Sequence, residues 1–82
     1  MNEVKLAPGI VSDPEICGGR PRIEGTRITV SDILGALAAG DSIDELVADF
    51  PYLSRDGIQA ALRYAATNFD HRVVAADGAG LV

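Results

Sequence analysis

The side chains that could catalyse a reaction or bind a metal are few in this 82-residue sequence. It contains one cysteine, Cys17, and one histidine, His71. A structural zinc site needs four Cys or His ligands, so these two residues cannot complete one. Arg20 lies near Cys17 but no histidine does, so we interpret Cys17 as a small buried apolar side chain rather than a nucleophile. His71 is interpreted as a solvated residue at a helix end. We expect no enzyme activity, metal or cofactor.

A glycine-rich stretch at residues 18–27 has the composition of a phosphate-binding loop but not its spacing. A P-loop has four residues between its glycines, followed by Lys and then Ser or Thr. Here five residues separate Gly19 from Gly25, Thr26-Arg27 follows, and Pro21 removes an amide N–H that a phosphate would need. We interpret the stretch as a structural loop, with Gly25 in a turn at positive φ.

Three arginines lie in this loop: Arg20, Arg22 and Arg27. Two interpretations stay open. The arginines could form internal ion pairs, for example with Asp32 or Asp49. Alternatively, they could form an exposed rim that contacts phosphates or a partner.

The net charge of −5 arises entirely in residues 31–53, which contain five carboxylates and no Lys or Arg. This acidity opposes general binding to nucleic acid, so any DNA contact must come from local arginines or through a basic partner. Carboxylates at a helix start also have a local role. The excess nevertheless predicts a binding surface for a basic protein partner, with apolar residues near the C-terminus as its buried anchor. The candidate residues are Asp41, Asp44, Glu45, Asp49, Val73 and Val74, together with Leu81 and Val82.

The hydrophobic spacing predicts two short strands followed by three helices. The strands are expected at 10–12 and 27–30, and the helices at 32–39, 43–50 and 55–67. Ser31, Ser42 and Ser54 are the predicted N-caps, and Gly40 is expected to end the first helix. The predicted core comprises Ile33, Leu37, Leu46, Val47, Phe50, Ile58 and Leu62.

The second and third predicted helices, with their tight connection, have the layout of a helix-turn-helix. Arg55, Gln59 and Arg63 then lie on the outer side of the third helix, and Arg and Gln are side chains that read guanine and adenine. They should lie on a surface free of Asp44 and Asp49. The alternative is an ordinary amphipathic helix pair with a solvated polar face.

The size and composition predict a single domain at residues 1–69 with a weakly specified tail at 70–82. The sequence contains no membrane-spanning stretch or signal peptide, and its single cysteine suits a reducing cytoplasm. So small a core favours a homodimer with the N-terminal strands as the contact.

The stretch from Ile16 to Val30, with its Gly-Gly-Arg-Pro and Gly-Thr-Arg segments, resembles the core motif of the domain of unknown function 433 family. Residues 39–46 and 50–54 are similar to the helical half of that family. The resemblance implies a mainly α fold, a three-helix homeodomain-like helix-turn-helix bundle with short N-terminal strands. It also implies an antitoxin of a bacterial type II toxin–antitoxin pair that inhibits a PIN-like ribonuclease, with operator DNA as a second ligand. The alternative function is a stand-alone protein-interaction adaptor without DNA binding.

Overall fold

Three helices pack against a small antiparallel sheet in this computed structural model, which describes the backbone of residues 2–77 and the side chains of residues 2–68. The sheet has the order β1-β2-β3, with β1 at Val4–Ala7, β2 at Ile10–Ser12 and β3 at Arg22–Ile23. The helices are α1 at Val30–Ala38, α2 at Ile43–Asp49 and α3 at Arg55–Asp77. The strand at 10–12 and all three helices are confirmed. Helix α3 runs well past residue 67, because no Gly or Pro interrupts residues 58–77.

The strand predicted at 27–30 is wrong, and β1 and β3 were not predicted. Thr29 makes a single antiparallel bridge with Arg22, after which the chain enters α1 at Val30. Strand β1 is one of the two outer strands of the sheet, so its outer edge is available for a contact between copies. A bulge between Lys5 and Ala7 and the charge of Lys5 both protect that edge, which limits pairing to a short stretch. The homodimer stays a prediction.

Helix α1 begins at Val30, two residues earlier than predicted, because its N-cap is Thr29 and not Ser31. The Thr29 side chain accepts a hydrogen bond from the amide of Asp32, and the Asp32 carboxylate accepts one from the amide of Thr29. This reciprocal capping box satisfies two backbone donors that the helix itself leaves free. The capping box explains why residues 27–30, whose β-branched side chains predicted a strand, lead into a helix instead.

Substituting Thr29 with alanine is expected to lower the free energy of unfolding by about 1 kcal/mol, because the cap is lost. Ser31 is exposed inside the first turn of α1, so Ser31→Ala should change stability by less than about 0.5 kcal/mol. Urea unfolding of the two variants measures the difference. Equal losses of stability in Thr29→Ala and Ser31→Ala would show that Thr29 is not the principal N-cap of α1.

The other two predicted N-caps, Ser42 and Ser54, are confirmed. Ser42 and Glu45 form the predicted capping box of α2, and the Ser54 hydroxyl accepts a hydrogen bond from the amide of Gly57 in α3. Gly40 follows α1 with a φ of 107°, and the loop glycine Gly25 has a φ of 83°, so both predicted positive-φ positions are confirmed.

One hydrophobic core lies between the sheet and the helices. Ile33, Leu46 and Ile58 are buried as predicted, whereas Leu37, Val47 and Leu62 are half-buried at its margin. Phe50 is 44% exposed, so its place in the predicted core is wrong. Helix α2 ends at Asp49 and Phe50 adopts an extended backbone before Pro51, which takes its ring off the buried stripe of α2. The full buried cluster is Ile10, Ile23, Val30, Ile33, Leu46, Leu53, Ile58, Ala60, Ala61 and Ala65.

Candidate functional site

Arg22 is a buried structural residue and not part of an exposed rim. Its side chain is on the face of the sheet away from the core, because its register partner is Val11 while the neighbouring pair, Ile10 and Ile23, belongs to the core. Only 4% of Arg22 is exposed. Its Nη2 donates to Glu3 Oε1 at 2.9 Å and its Nη1 to the carbonyl of Thr26 at 3.0 Å. The internal-pairing interpretation therefore holds for Arg22, with Glu3 as the partner instead of Asp32 or Asp49, and the predicted phosphate contact by Arg22 is wrong.

Arg55 also has an internal partner, because its guanidinium forms an ion pair with Asp44. The expectation that Arg55 lies on a surface free of Asp44 is therefore wrong. The pair joins the first turn of α2 to the first turn of α3, so part of the charge of Arg55 is already neutralised. The predicted DNA-binding residues that stay exposed are Arg20, Arg27, Gln59 and Arg63.

These exposed residues belong to two separate parts of the fold. Arg20 and Arg27 are in the loop between β2 and α1, whereas Gln59 and Arg63 are on α3. Arg63 lines a groove of about 620 Å³ between the β1–β2 turn and α3, together with Leu6 and Tyr64.

Cys17 is half-buried at the start of a left-handed turn. Cys17, Gly18 and Gly19 all have positive φ, at 53°, 66° and 81°. The Cys17 Sγ lies 3.4 Å from the carbonyl oxygen of Arg27 and can donate to it. The thiol therefore links two ends of the loop, and it is less buried than the sequence predicted.

The four carboxylates predicted to bind a partner, Asp41, Asp44, Glu45 and Asp49, are all exposed, and we call this set the acidic face. Glu45 also accepts from the amide of Ser42, and Asp44 pairs with Arg55. Among residues 2–68, Asp41 and Asp49 form no ion pair, so their charge is available to a partner. Val73 and Val74, the predicted anchors, lie outside the residues whose side chains are described.

Two exposed aromatic side chains that were not predicted follow the acidic face directly. Phe50 and Tyr52 are in the connection between α2 and α3, and Tyr52 is 84% exposed. We call residues Phe50-Pro51-Tyr52-Leu53 the aromatic turn. A signal was present in the sequence: Pro51 ends α2 and therefore removes both rings from its apolar stripe.

Within the described residues, no three His, Cys, Asp or Glu side chains converge as metal ligands do. Nor does the described chain contain a helix with the length and apolar character needed to cross a bilayer.

Comparison with known proteins identifies the family. Residues 10–65 match the family described as protein of unknown function (DUF433). The chain belongs to the DUF433 family. The match covers β2, β3, α1, α2 and the first part of α3, so it includes both the arginine-containing loop and the acidic face.

The DUF433 fold is also found in solved structures. A DUF433 member protein from Anabaena variabilis is 35% identical with a TM-score of 0.71, and the match covers 77% of this chain and 62% of that one. Rv2018 from Mycobacterium tuberculosis is 29% identical with a TM-score of 0.62, covering 74% of this chain and 30% of that one.

Among curated proteins, the uncharacterized protein y4eO of Sinorhizobium fredii is 37% identical over 59 residues, which are 72% of this chain. The chain spans only 27% of the length of y4eO. The DUF433 region therefore also occurs within much longer proteins.

Proposed function

We propose that this chain is the antitoxin of a bacterial type II toxin–antitoxin pair and that it binds and inhibits a PIN-like ribonuclease. The observation that carries the proposal is the acidic face. Residues 41–56 contain five carboxylates and one cation, Arg55, for a net charge of −4. Such a surface complements a nuclease that binds the phosphates of RNA through basic residues.

The geometry favours a protein partner over DNA. Arg55 pairs with Asp44, and Asp56 lies in the first turn of α3, so the start of the predicted recognition helix is not basic. DNA phosphates would be repelled by the acidic face at this end of α3. Operator binding, where it accompanies inhibition, would use the exposed residues Arg20, Arg27, Gln59 and Arg63.

The test is nuclease inhibition by the purified chain. We expect a PIN-like ribonuclease to be encoded beside this gene, to form a stable complex with the chain and to lose its RNA-cleaving activity in that complex. Asp41→Asn/Asp49→Asn should slow association by on the order of tenfold at low salt, because two unpaired charges are lost from the acidic face. The effect should shrink as salt is added.

A matched control is Glu15→Gln/Glu24→Gln, which makes the same change in net charge at exposed sites outside α2 and α3. This control should associate at nearly the wild-type rate. An active nuclease in the presence of excess chain would refute the antitoxin function and leave the adaptor function. Equal slowing by both double variants would show that overall charge, and not the acidic face, steers the encounter.

A further inference from the structure

We infer that the aromatic turn is the anchor of the partner-binding surface and that Tyr52 receives an arginine side chain of the partner. This inference rests on the proposed function for the identity of the partner, but not for the chemistry of the contact. It places the apolar anchor of the partner-binding surface next to the acidic face, and not at Val73 and Val74 as the sequence predicted.

Tyr52 is exposed because the backbone holds it outward. The amide of Leu53 donates to the carbonyl of Phe50 at 3.0 Å, which closes a four-residue turn with Pro51 and Tyr52 at its centre. Pro51 fixes its own φ, and Leu53, only 4% exposed, fastens the end of the turn to the core. The amide of Phe50 donates to the carbonyl of Leu46, which fastens the other end to α2.

This turn is therefore preorganised, and little backbone entropy is lost when it binds. A tyrosine has only two side-chain torsions to order, so a rigid exposed tyrosine provides much contact area at low entropic cost. Buried tyrosines at interfaces are among the residues that contribute most to affinity. Tyr52, which is 84% exposed, adds little to the core and leaves this contact area open to a partner.

The charges around the turn select the partner's chemistry. Asp49 precedes the aromatic turn directly, and Asp56 follows it in the first turn of α3. The nearby cation, Arg55, is already paired with Asp44. A guanidinium is attracted to the face of an aromatic ring and pairs with a carboxylate at the same time. The surface therefore fits an exposed arginine of a basic protein segment, and it disfavours phosphate.

The first experiment needs no nuclease. The full chain, labelled for NMR, is titrated with a hexa-arginine peptide and with the matched hexa-citrulline peptide, which keeps the planar side chain without its charge. We expect the ring signals of Tyr52 to shift with hexa-arginine and not with hexa-citrulline. The signals of Tyr64, which is half-buried in α3, should not move. Equal shifts with both peptides, or shifts spread evenly over all carboxylates, would overturn the inference.

Variants of Tyr52 separate ring chemistry from apolar area. Tyr52→Phe keeps the ring face and should bind hexa-arginine within about twofold of wild type. Tyr52→Leu and Tyr52→Ala lose the ring face and should bind about threefold to tenfold more weakly. Val4→Ala, which shortens another exposed apolar side chain on β1, is the matched control and should have no effect. Wild-type affinity in Tyr52→Ala would overturn the inference.

The nuclease then distinguishes this inference from the proposed function. A nuclease that is inhibited equally by wild type and Tyr52→Ala would refute the anchor while the antitoxin function stands. A nuclease that no variant inhibits, with Tyr52-dependent binding of hexa-arginine, would refute the antitoxin function while the arginine-binding anchor stands.

Discussion

Glu3→Ala is expected to lower the free energy of unfolding by about 2–3 kcal/mol, although Glu3 is on the surface. The variant leaves the guanidinium of Arg22 buried without its countercharge, and removing one partner of a buried ion pair costs about 3–5 kcal/mol. We place the loss below that range because the Glu3 side chain is 46% exposed, so water can partly replace it. The Nε of Arg22 is buried without a hydrogen-bond partner among the described residues, which adds to the need for Glu3.

The double variant Glu3→Ala/Arg22→Met should recover most of this loss. It removes both charges and keeps apolar volume beside Val11, and such replacements of buried ion pairs are often neutral. Only the hydrogen bond from Arg22 to the carbonyl of Thr26 is not restored. Glu15→Ala, at an exposed carboxylate, is the control and should stay within about 0.5 kcal/mol of wild type. Urea unfolding measures all three, and a double variant less stable than Glu3→Ala would contradict this account of Arg22.

Gly57→Val should lower the free energy of unfolding by about 1–3 kcal/mol, because α3 packs directly on β3 at this residue. A Cβ at Gly57 would lie 3.0 Å from Cγ2 of Ile23, whose side chain is buried in the core and has little room to move. The added methyl groups of valine increase the overlap, so the helix and the strand must separate.

Gly35→Val is the matched control because Gly35 is also inside a helix, but among the described residues nothing beyond its chain neighbours and the local backbone of α1 lies within 4 Å of the Cβ position. It should leave stability unchanged or raise it by a few tenths of a kcal/mol, since glycine is the poorer helix former. Thermal unfolding of the two variants measures the contrast. If Gly57→Val were as stable as Gly35→Val, the close approach of α3 to β3 would not be present in solution.

The helices were predictable because their signals are local. The apolar stripe of α2, its Ser42–Glu45 box and the proline that ends it all lie within ten residues, 42–51, so their spacing determines the outcome. Local signals at Thr29, by contrast, are ambiguous between a strand and a helix N-cap. Its β-branched side chain suits a strand and its hydroxyl suits an N-cap, and it fulfils both roles, with a bridge to Arg22 and a capping box with Asp32.

The site was less predictable because its ion pairs join distant residues. Arg22 and Glu3 are nineteen residues apart, and no periodic pattern relates them. Asp44 and Arg55 belong to different helices, so their pairing depends on how α2 and α3 meet. The acidic face is exposed as the charge composition predicted, whereas the exposure of Tyr52 depends on a turn whose far end is fixed by the burial of Leu53 in the core.

Several backbone and hydroxyl groups of the stretch from Cys17 to Val30 form hydrogen bonds within that stretch. The amide of Ile23 donates to the carbonyl of Ile28, that of Val30 donates to Pro21, and the Thr26 hydroxyl donates to Ile23 while it accepts from Ile28. The shape of this stretch is thus fixed largely by its own hydrogen bonds. Exposed side chains that it carries, such as Arg20 and Arg27, can therefore be exchanged with little change in the path of the backbone. In this chain a change of surface chemistry does not require a change of architecture.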